Sequence, residues 1–370
     1  MGVERYPEAR DLYQLTETLR KKHNLPALGI GIIHGGKIVG LGVAGERVVD
    51  SGDWATLDDA FDIASCSKSV TATLAAMLVE DGKIRWNTTL AEAFPELKTS
   101  MLPCYASVTL EQLLRHRSGL DRIMDRNDRW MEWNQQHTGK PASKQRLLFV
   151  ATALQKPPRY PPGTDEYYCN DGYVIAGSIL ERAAGKPLEA LAQSRLFQPL
   201  GLDSLQYGAA PKIAGHEDGW FGKNRRASVD PAKYGSPPFG SPGGFLSCSV
   251  PDLLRYLDFH NQGEHAGHAL LRRESFQHLH SQVANRRFAL GWEIETRRDA
   301  RGRVIERSIF HGGYSGYARA NMWFVPETNW GTVIVMNHGR GDGSNCTDIF
   351  YALLKEFGLI SSTPVQEKAP

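Results

Sequence analysis

Strand-like sequence stands at the two ends of this chain, and helical sequence fills the space between. Ala27–His34 and Lys37–Ala44 are apolar runs joined by Gly35–Gly36, a two-glycine hairpin signal. Strand character returns late, at Val304–His311, Tyr317–Val325 and Trp330–Asn337. Adjacent strands with short turns favour an antiparallel sheet. Residues 7–23 carry Leu12, Leu15 and Leu19 at helical spacing, and Cys346–Phe357 forms a last amphipathic pattern, so a helix at each end is expected to pack on that sheet. Between them the patterns are helical: Ser69–Glu80 ending at Gly82, Thr109–Arg115 ending near Gly119, Gly172–Ala184 ending at Gly185. The expected fold is α+β. Residues 1–64 and 284–370 form a discontinuous sheet domain, residues 65–283 a mainly helical insertion, and the active site lies at their interface.

Composition narrows the function classes. The 370 residues are 41% hydrophobic and 23% charged with a formal net charge of +2, an ordinary globular balance and no nucleic-acid footprint. The short cluster Lys223–Asn224–Arg225–Arg226 reads as a solvated loop. No apolar stretch is long enough to span a bilayer, and MGVERYPEAR lacks the basic-then-apolar pattern of a secretory leader. Five cysteines, odd in number and without CxxC spacing, argue against a disulfide framework and for a reducing compartment. A cytoplasmic protein is expected, or a periplasmic one if a leader has been removed. His265 and His268 form a bare HxxH without a zinc-protease Glu, so neither metal nor cofactor is expected.

No serine has the G-x-S-x-G setting of an α/β-hydrolase elbow. Ser65–Cys66–Ser67–Lys68 is instead an S-x-x-K pattern at a helix start, after the extended Phe61–Asp62–Ile63–Ala64. Residues i and i+3 share a helix face, so the Lys68 ammonium can reach the Ser65 hydroxyl. The Ser65 N–H, at the positive end of the helix, is placed to meet an oxyanion. The plainer alternative makes Ser65 an N-cap and Lys68 a solvated side chain. Tyr168–Cys169–Asn170 follows the turn signal Pro161–Pro162–Gly163; in an extended segment Tyr168 and Asn170 point the same way. A phenol beside an ammonium has a favoured phenolate, which makes Tyr168 a general-base candidate, with Asn170 offering its amide to Lys68 or to a substrate carbonyl. His311–Gly312–Gly313 ends a strand and leaves its edge bare for a substrate. Trp130 and Trp133, spaced i,i+3 within the loop from Asp121 to Gln136, either shape an acyl pocket or pack as core.

Together these pieces resemble the serine β-lactamase and penicillin-binding-protein family, on the class C side that includes family VIII carboxylesterases and D-amino-acid-specific peptidases. Ser65-x-x-Lys68 stands at the family's nucleophile. Leu113–Leu120 resembles its "LLTHTSGL", and Pro162–Gly163 with Tyr168–Cys169–Asn170 its P-G…Y-x-N. Pro199–Leu202, Pro242–Ser247 and Gly291–Trp292 fall in the family's order. The resemblance implies a β-lactamase/transpeptidase-like fold and an acyl-enzyme on Ser65, with Lys68 and Tyr168 sharing proton transfer. It implies an oxyanion hole from the N–H groups of Ser65 and Tyr314. His116 and Ser118, tempting as catalytic groups, belong to a segment that packs as a helix end in the family. One departure stands out. Class C β-lactamases have lysine where this chain has His311, which would be partly charged near neutral pH and cationic below about 6.5. A fixed positive charge for a drug carboxylate is thus missing. A carboxylesterase for small or medium acyl esters, with weak β-lactam hydrolysis, is the leading expectation. A β-lactamase or D-amino-acid-specific peptidase is the second, and a catalytically silent sensor or binding relative the third.

Overall fold

A computed structural model describes residues 3–122, 132, 133, 136, 137, 139–208, 212–219, 224–226, 239–283, 286–299, 301–339 and 343–360. Its backbone is organised around a seven-stranded sheet that joins the two ends of the chain. The strands are β1 (Arg10–Asp11), β2 (Ala27–His34), β3 (Lys37–Gly45), β9 (Glu293–Arg298), β10 (Val304–Tyr314), β11 (Arg319–Val325) and β12 (Trp330–Met336), in the order β1-β3-β2-β12-β11-β10-β9. Short strands in the middle of the chain, β4 (Phe61–Asp62), β5 (Gln206–Tyr207) and β8 (Leu246–Cys248), make a separate three-stranded sheet, and β6 (His216–Asp218) pairs with β7 (Asn224–Arg226). Gly35 and Gly36 turn β2 into β3 with φ of +57° and +81°, the left-handed pair a tight hairpin requires. The N-terminal hairpin meets the C-terminal strands where β2 runs antiparallel to β12, from Trp330 opposite His34 to Met336 opposite Leu28. β1 is the one parallel neighbour among these pairings, two residues long against β3.

Both faces of the central strands are buried, which is why β2 and β12 read as near-continuous apolar runs. On the outer face Leu28, Ile30, Ile32, Ile334 and Met336 cluster with Leu12 and Leu19 around α1 (Tyr13–Lys22), and with Ile349 and Leu353 of the C-terminal helix Ser344–Glu356. On the inner face Val333 and Val335 of β12 join the larger core with α2 (Ser67–Glu80) and the long helix Val250–Ala266. Alternate residues therefore serve opposite layers, and a one-residue slip of register would exchange them. α2 is buried all round, with twelve of its fourteen residues out of solvent, so it is a central core helix rather than a surface one. No helix among the described residues is long and apolar enough to cross a membrane, and all five cysteines are free thiols.

A buried polar chain stitches α2 to the helices beneath the sheet. Glu264 accepts from His280 Nδ1 at 2.6 Å, and His280 Nε2 lies 3.1 Å from His260 Nδ1. A carboxylate can only accept, so the proton on His280 sits at Nδ1 and the one on His260 at Nδ1. His260 Nε2 then faces the Thr73 hydroxyl at 3.1 Å. The far side of Glu264 meets Arg307 of β10 at 3.1 Å, and Arg307 also pairs with Glu327 at 2.8 Å. Burial holds both imidazoles below the ordinary histidine range, His260 well below it.

This arrangement predicts an acid-sensitive fold. The unfolded chain takes up protons at these two histidines near pH ~6.5, whereas the native chain takes them up only at lower pH. Stability therefore falls as pH drops below about 6.5, by up to ~1 kcal/mol per histidine per pH unit. The depressed Glu264 carboxyl, held down by His280 and Arg307, adds its own loss only near and below its ordinary range. Urea midpoints at pH 7.5, 6.5 and 5.5 should be flat over the first interval and decline over the second. A midpoint that rises on acidification would contradict this.

Candidate active site

The nucleophile candidate sits at the end of a strained approach. After β4, Ala64 adopts φ +44°, a left-handed backbone uncommon for a residue with a Cβ, and Ser65 lies within the short 3-10 turn Ala64–Cys66 that leads into α2. The turn is held locally. The Ala64 N–H donates to Asp62 Oδ1 at 2.8 Å and the Ser67 hydroxyl to the Ala64 carbonyl at 2.6 Å. Strand β10 presses on it from the other side. A Cβ at Gly313 would overlap the Ile63 carbonyl oxygen, so only glycine lets the strand pass, while a Cβ at Gly312 would meet open space. The Cys66 thiol donates to the His311 carbonyl at 3.3 Å, fixing the strand edge beside the start of α2.

Lys68 is fully buried, and its ammonium is the hub of the site. It donates to Ser65 Oγ at 3.1 Å, to Asn170 Oδ1 at 2.5 Å and to the Gly243 carbonyl at 2.7 Å. The alternative of a solvated lysine is thereby excluded. Tyr168 and Asn170 do converge on Lys68, although not along one extended segment. Cys169 is extended (φ −147°, ψ 121°), and Asn170 opens the helix Asn170–Ala184. The Tyr168 ring centroid is 4.9 Å from Lys68 Nζ, and Arg122 Nε donates to the Tyr168 carbonyl at 2.7 Å. Neither Gly243 nor Arg122 was singled out from the sequence as a contact. Pro242–Ser247 was noted only as a segment in the family's order, and the Thr71 hydroxyl, donating to the Pro242 carbonyl at 2.7 Å, straps it to α2. Nothing in the sequence around Arg122 marks it.

His311 departs from expectation in its ionisation. It is 1% exposed and its Nδ1 lies 2.9 Å from the Gly291 carbonyl. Burial, aided by the nearby Lys68 charge, pushes its pKa down to about 3. The expectation that it becomes cationic below about pH 6.5 is therefore corrected: desolvation and a neighbouring cation keep it a neutral imidazole across the neutral range. Gly291, which supplies the acceptor, has φ +79°, and a Cβ there would come within 2.8 Å of the Lys68 carbonyl. Tyr314, at the end of β10, is 55% exposed with the Arg319 guanidinium 4.3 Å from its ring centroid. Trp130 lies outside the described residues, as does most of the loop from Asp121 to Gln136. Trp133 stacks on His137 at 4.2 Å and meets Phe149 and Phe239 at 5.7 and 5.9 Å, packing on the main core. Among the described residues no group of three or more His, Cys, Asp or Glu could hold a metal.

A serine hydroxyl hydrogen-bonded to a buried ammonium, with a tyrosine ring 4.9 Å from that ammonium, can carry nucleophilic attack and the proton transfers that go with it. The chain is similar to known proteins over most of its length. The Beta-lactamase family profile matches residues 12–356. The chain is 30% identical to penicillin-binding protein 4 of Amycolatopsis lactamdurans over 50% of its own length and 46% of the relative's. It is 31% identical to the lovastatin esterase of Penicillium rubens over 44% of each chain, so it spans under half the length of these two relatives. A class C beta-lactamase structure from Rhodobacter sphaeroides superposes with a TM-score of 0.70 at 19% identity, covering 92% of this chain and 97% of the other, a likeness of fold. With the profile spanning nearly its whole length, the chain belongs to the Beta-lactamase family of serine hydrolases.

Proposed function

We propose that the chain is a carboxylesterase that works through an acyl-enzyme on Ser65. The observation that carries this reading is the Lys68 ammonium, held 3.1 Å from the Ser65 hydroxyl by two further acceptors that leave it little freedom. In acylation, Ser65 Oγ attacks the ester carbonyl, its proton moves to the Tyr168–Lys68 pair, and the same pair returns a proton to the departing alkoxide. Water, or another alcohol, then attacks the acyl-enzyme with the pair acting in reverse. The backbone N–H groups of Ser65 and Tyr314 serve as oxyanion donors, and the open side of Gly312 is the edge along which the acyl group lies.

His311 favours esters over anionic drugs. A lysine at this position would bring a permanent charge to a substrate carboxylate; the buried, neutral imidazole brings none. A missing charge-assisted contact is worth ~1.5–3 kcal/mol, ten- to a hundred-fold in relative specificity. The similarity to a lovastatin esterase supports the ester reading, and the similarity to a penicillin-binding protein keeps amide or lactam substrates as the second reading.

Ser65→Ala should abolish turnover of p-nitrophenyl butyrate while leaving the melting temperature within a few degrees of wild type. Intact-mass spectrometry after a phosphonate ester should show one adduct, and peptide mapping should put it on Ser65. An adduct elsewhere overturns the assignment. Nitrocefin and D-alanyl anilide assayed on the same sample separate the two substrate readings: turnover of either above that of the ester favours the second.

The His311 geometry yields its own expectation. Because the imidazole stays neutral from pH 5.5 to 8, the ratio of kcat/KM for nitrocefin to that for p-nitrophenyl butyrate should be flat across this range in the wild type. His311→Lys should raise that ratio about ten-fold or more, less so in high salt. A wild-type ratio that climbs steeply on acidification would mean that His311 does titrate there, and an unchanged ratio in the lysine variant would mean that this position does not govern substrate charge.

A further inference from the structure

His116 is a buried, left-handed residue that the reaction scheme above does not use. It is 3% exposed and has φ +57°, an uncommon backbone for a side chain of this size. Its two acceptors take the N–H groups of the residues on either side of Tyr168. The Tyr167 N–H donates to the His116 carbonyl at 2.8 Å, and the Cys169 N–H donates to His116 Nδ1 at 3.1 Å. The Tyr160 hydroxyl donates to the same carbonyl at 3.1 Å, which anchors the His116 peptide itself. The imidazole also lies against the Tyr168 ring, with centroids 4.4 Å apart and planes 33° from parallel, and Phe288 meets the His116 ring edge-on at 4.8 Å.

We propose that His116 is the positioning residue of Tyr168, gripping its backbone on both sides and its ring on one face so that the phenol is held at the Lys68–Ser65 pair. The inference rests on the reading of Tyr168 as a proton carrier. The left-handed backbone is what makes the double grip possible: it turns the His116 carbonyl and the side chain toward the same segment, so one residue supplies both acceptors. Nδ1 can accept only while the ring is neutral with its proton on Nε2. Burial, with the positive Lys68 and Arg122 nearby, keeps it so. The cluster has no slack, since Arg122 Nε holds the Tyr168 carbonyl from the other side at 2.7 Å. A displacement of about 1 Å in a proton-transfer group is enough to cost on the order of a hundred-fold in rate.

Two substitutions separate position from packing. His116→Gly accepts the left-handed backbone but removes Nδ1 and the ring. His116→Asn also tolerates that backbone and puts Oδ1, an acceptor, near the place of Nδ1. With p-nitrophenyl butyrate, His116→Gly should lower kcat ~10- to 100-fold with KM changed less than about three-fold, and His116→Asn should recover most of kcat. Placed on Tyr168→Phe, His116→Gly should cause almost no further loss, because the residue it positions has already lost its hydroxyl. A folded His116→Gly variant with wild-type kcat, or one whose full loss reappears on Tyr168→Phe, overturns the proposal. Should the glycine variant fail to fold, His116→Asn and Tyr168→Phe still decide it, since an asparagine variant as impaired as Tyr168→Phe shows that the acceptor is not what matters. Full activity in Tyr168→Phe alone would instead overturn the underlying role of Tyr168, a distinguishable result.

Discussion

A buried ammonium is the constraint around which this site is built. Taking a lysine charge out of water costs several kcal/mol unless donors find acceptors, and an ammonium offers three of them. At Lys68 the acceptors are a serine hydroxyl one helical turn away, an asparagine amide oxygen from a helix about a hundred residues later, and a peptide carbonyl from a turn later still. Only with all three in place does the ammonium have its full set of acceptors. The requirement that protects the charge also brings Ser65, the start of the Asn170 helix and the Pro242–Gly243 turn together. The neutral state of His311 belongs to the same arrangement, because a second cation beside Lys68 would raise the cost that the three acceptors offset.

The sheet supplies the rigid edge against which that cluster is set. β10 runs past the approach to Ser65 so closely that Gly313 has no room for a Cβ, and the Gly291 turn also packs closely, though less so, against the Lys68 carbonyl. The close approach accounts for glycine at Gly313, and the close approach together with a φ of +79° accounts for it at Gly291. Ala64 carries the corresponding strain on the other side, with a left-handed backbone stabilised by Asp62 and Ser67. Strain of this kind is typically worth ~1–3 kcal/mol and persists because the surrounding packing over-determines it.

The larger elements were legible because each has a local cause. The two-glycine hairpin, the late strands and the helices at either end all show periodicity or turn chemistry within a short window. β9 and the two- and three-residue strands did not, since Glu293–Arg298 is polar and β4, β5 and β8 are too short for a period to register. Ser65, Lys68 and Tyr168 were legible as a set through their order and spacing. Trp133 was ambiguous by nature, because an i,i+3 aromatic pair suits a pocket wall and a core equally, and only its contacts with Phe149 and Phe239 show where the ring packs.

What the sequence by itself determined was the inventory: which side chains could do the chemistry, which of the longer segments would be helix or strand, and that the sheet would draw on both ends of the chain. Those follow from spacing within a turn or a strand, where the backbone fixes the geometry. The tertiary structure alone decided the environment of each group. That His311 is neutral rather than half-charged depends on desolvation by residues far along the chain and on the field of Lys68. That His116 meets the N–H groups of Tyr167 and Cys169 depends on a loop closing over some fifty residues. Ionisation, burial and hydrogen-bond partnership are properties of neighbours in space, and spacing along a chain carries no record of them.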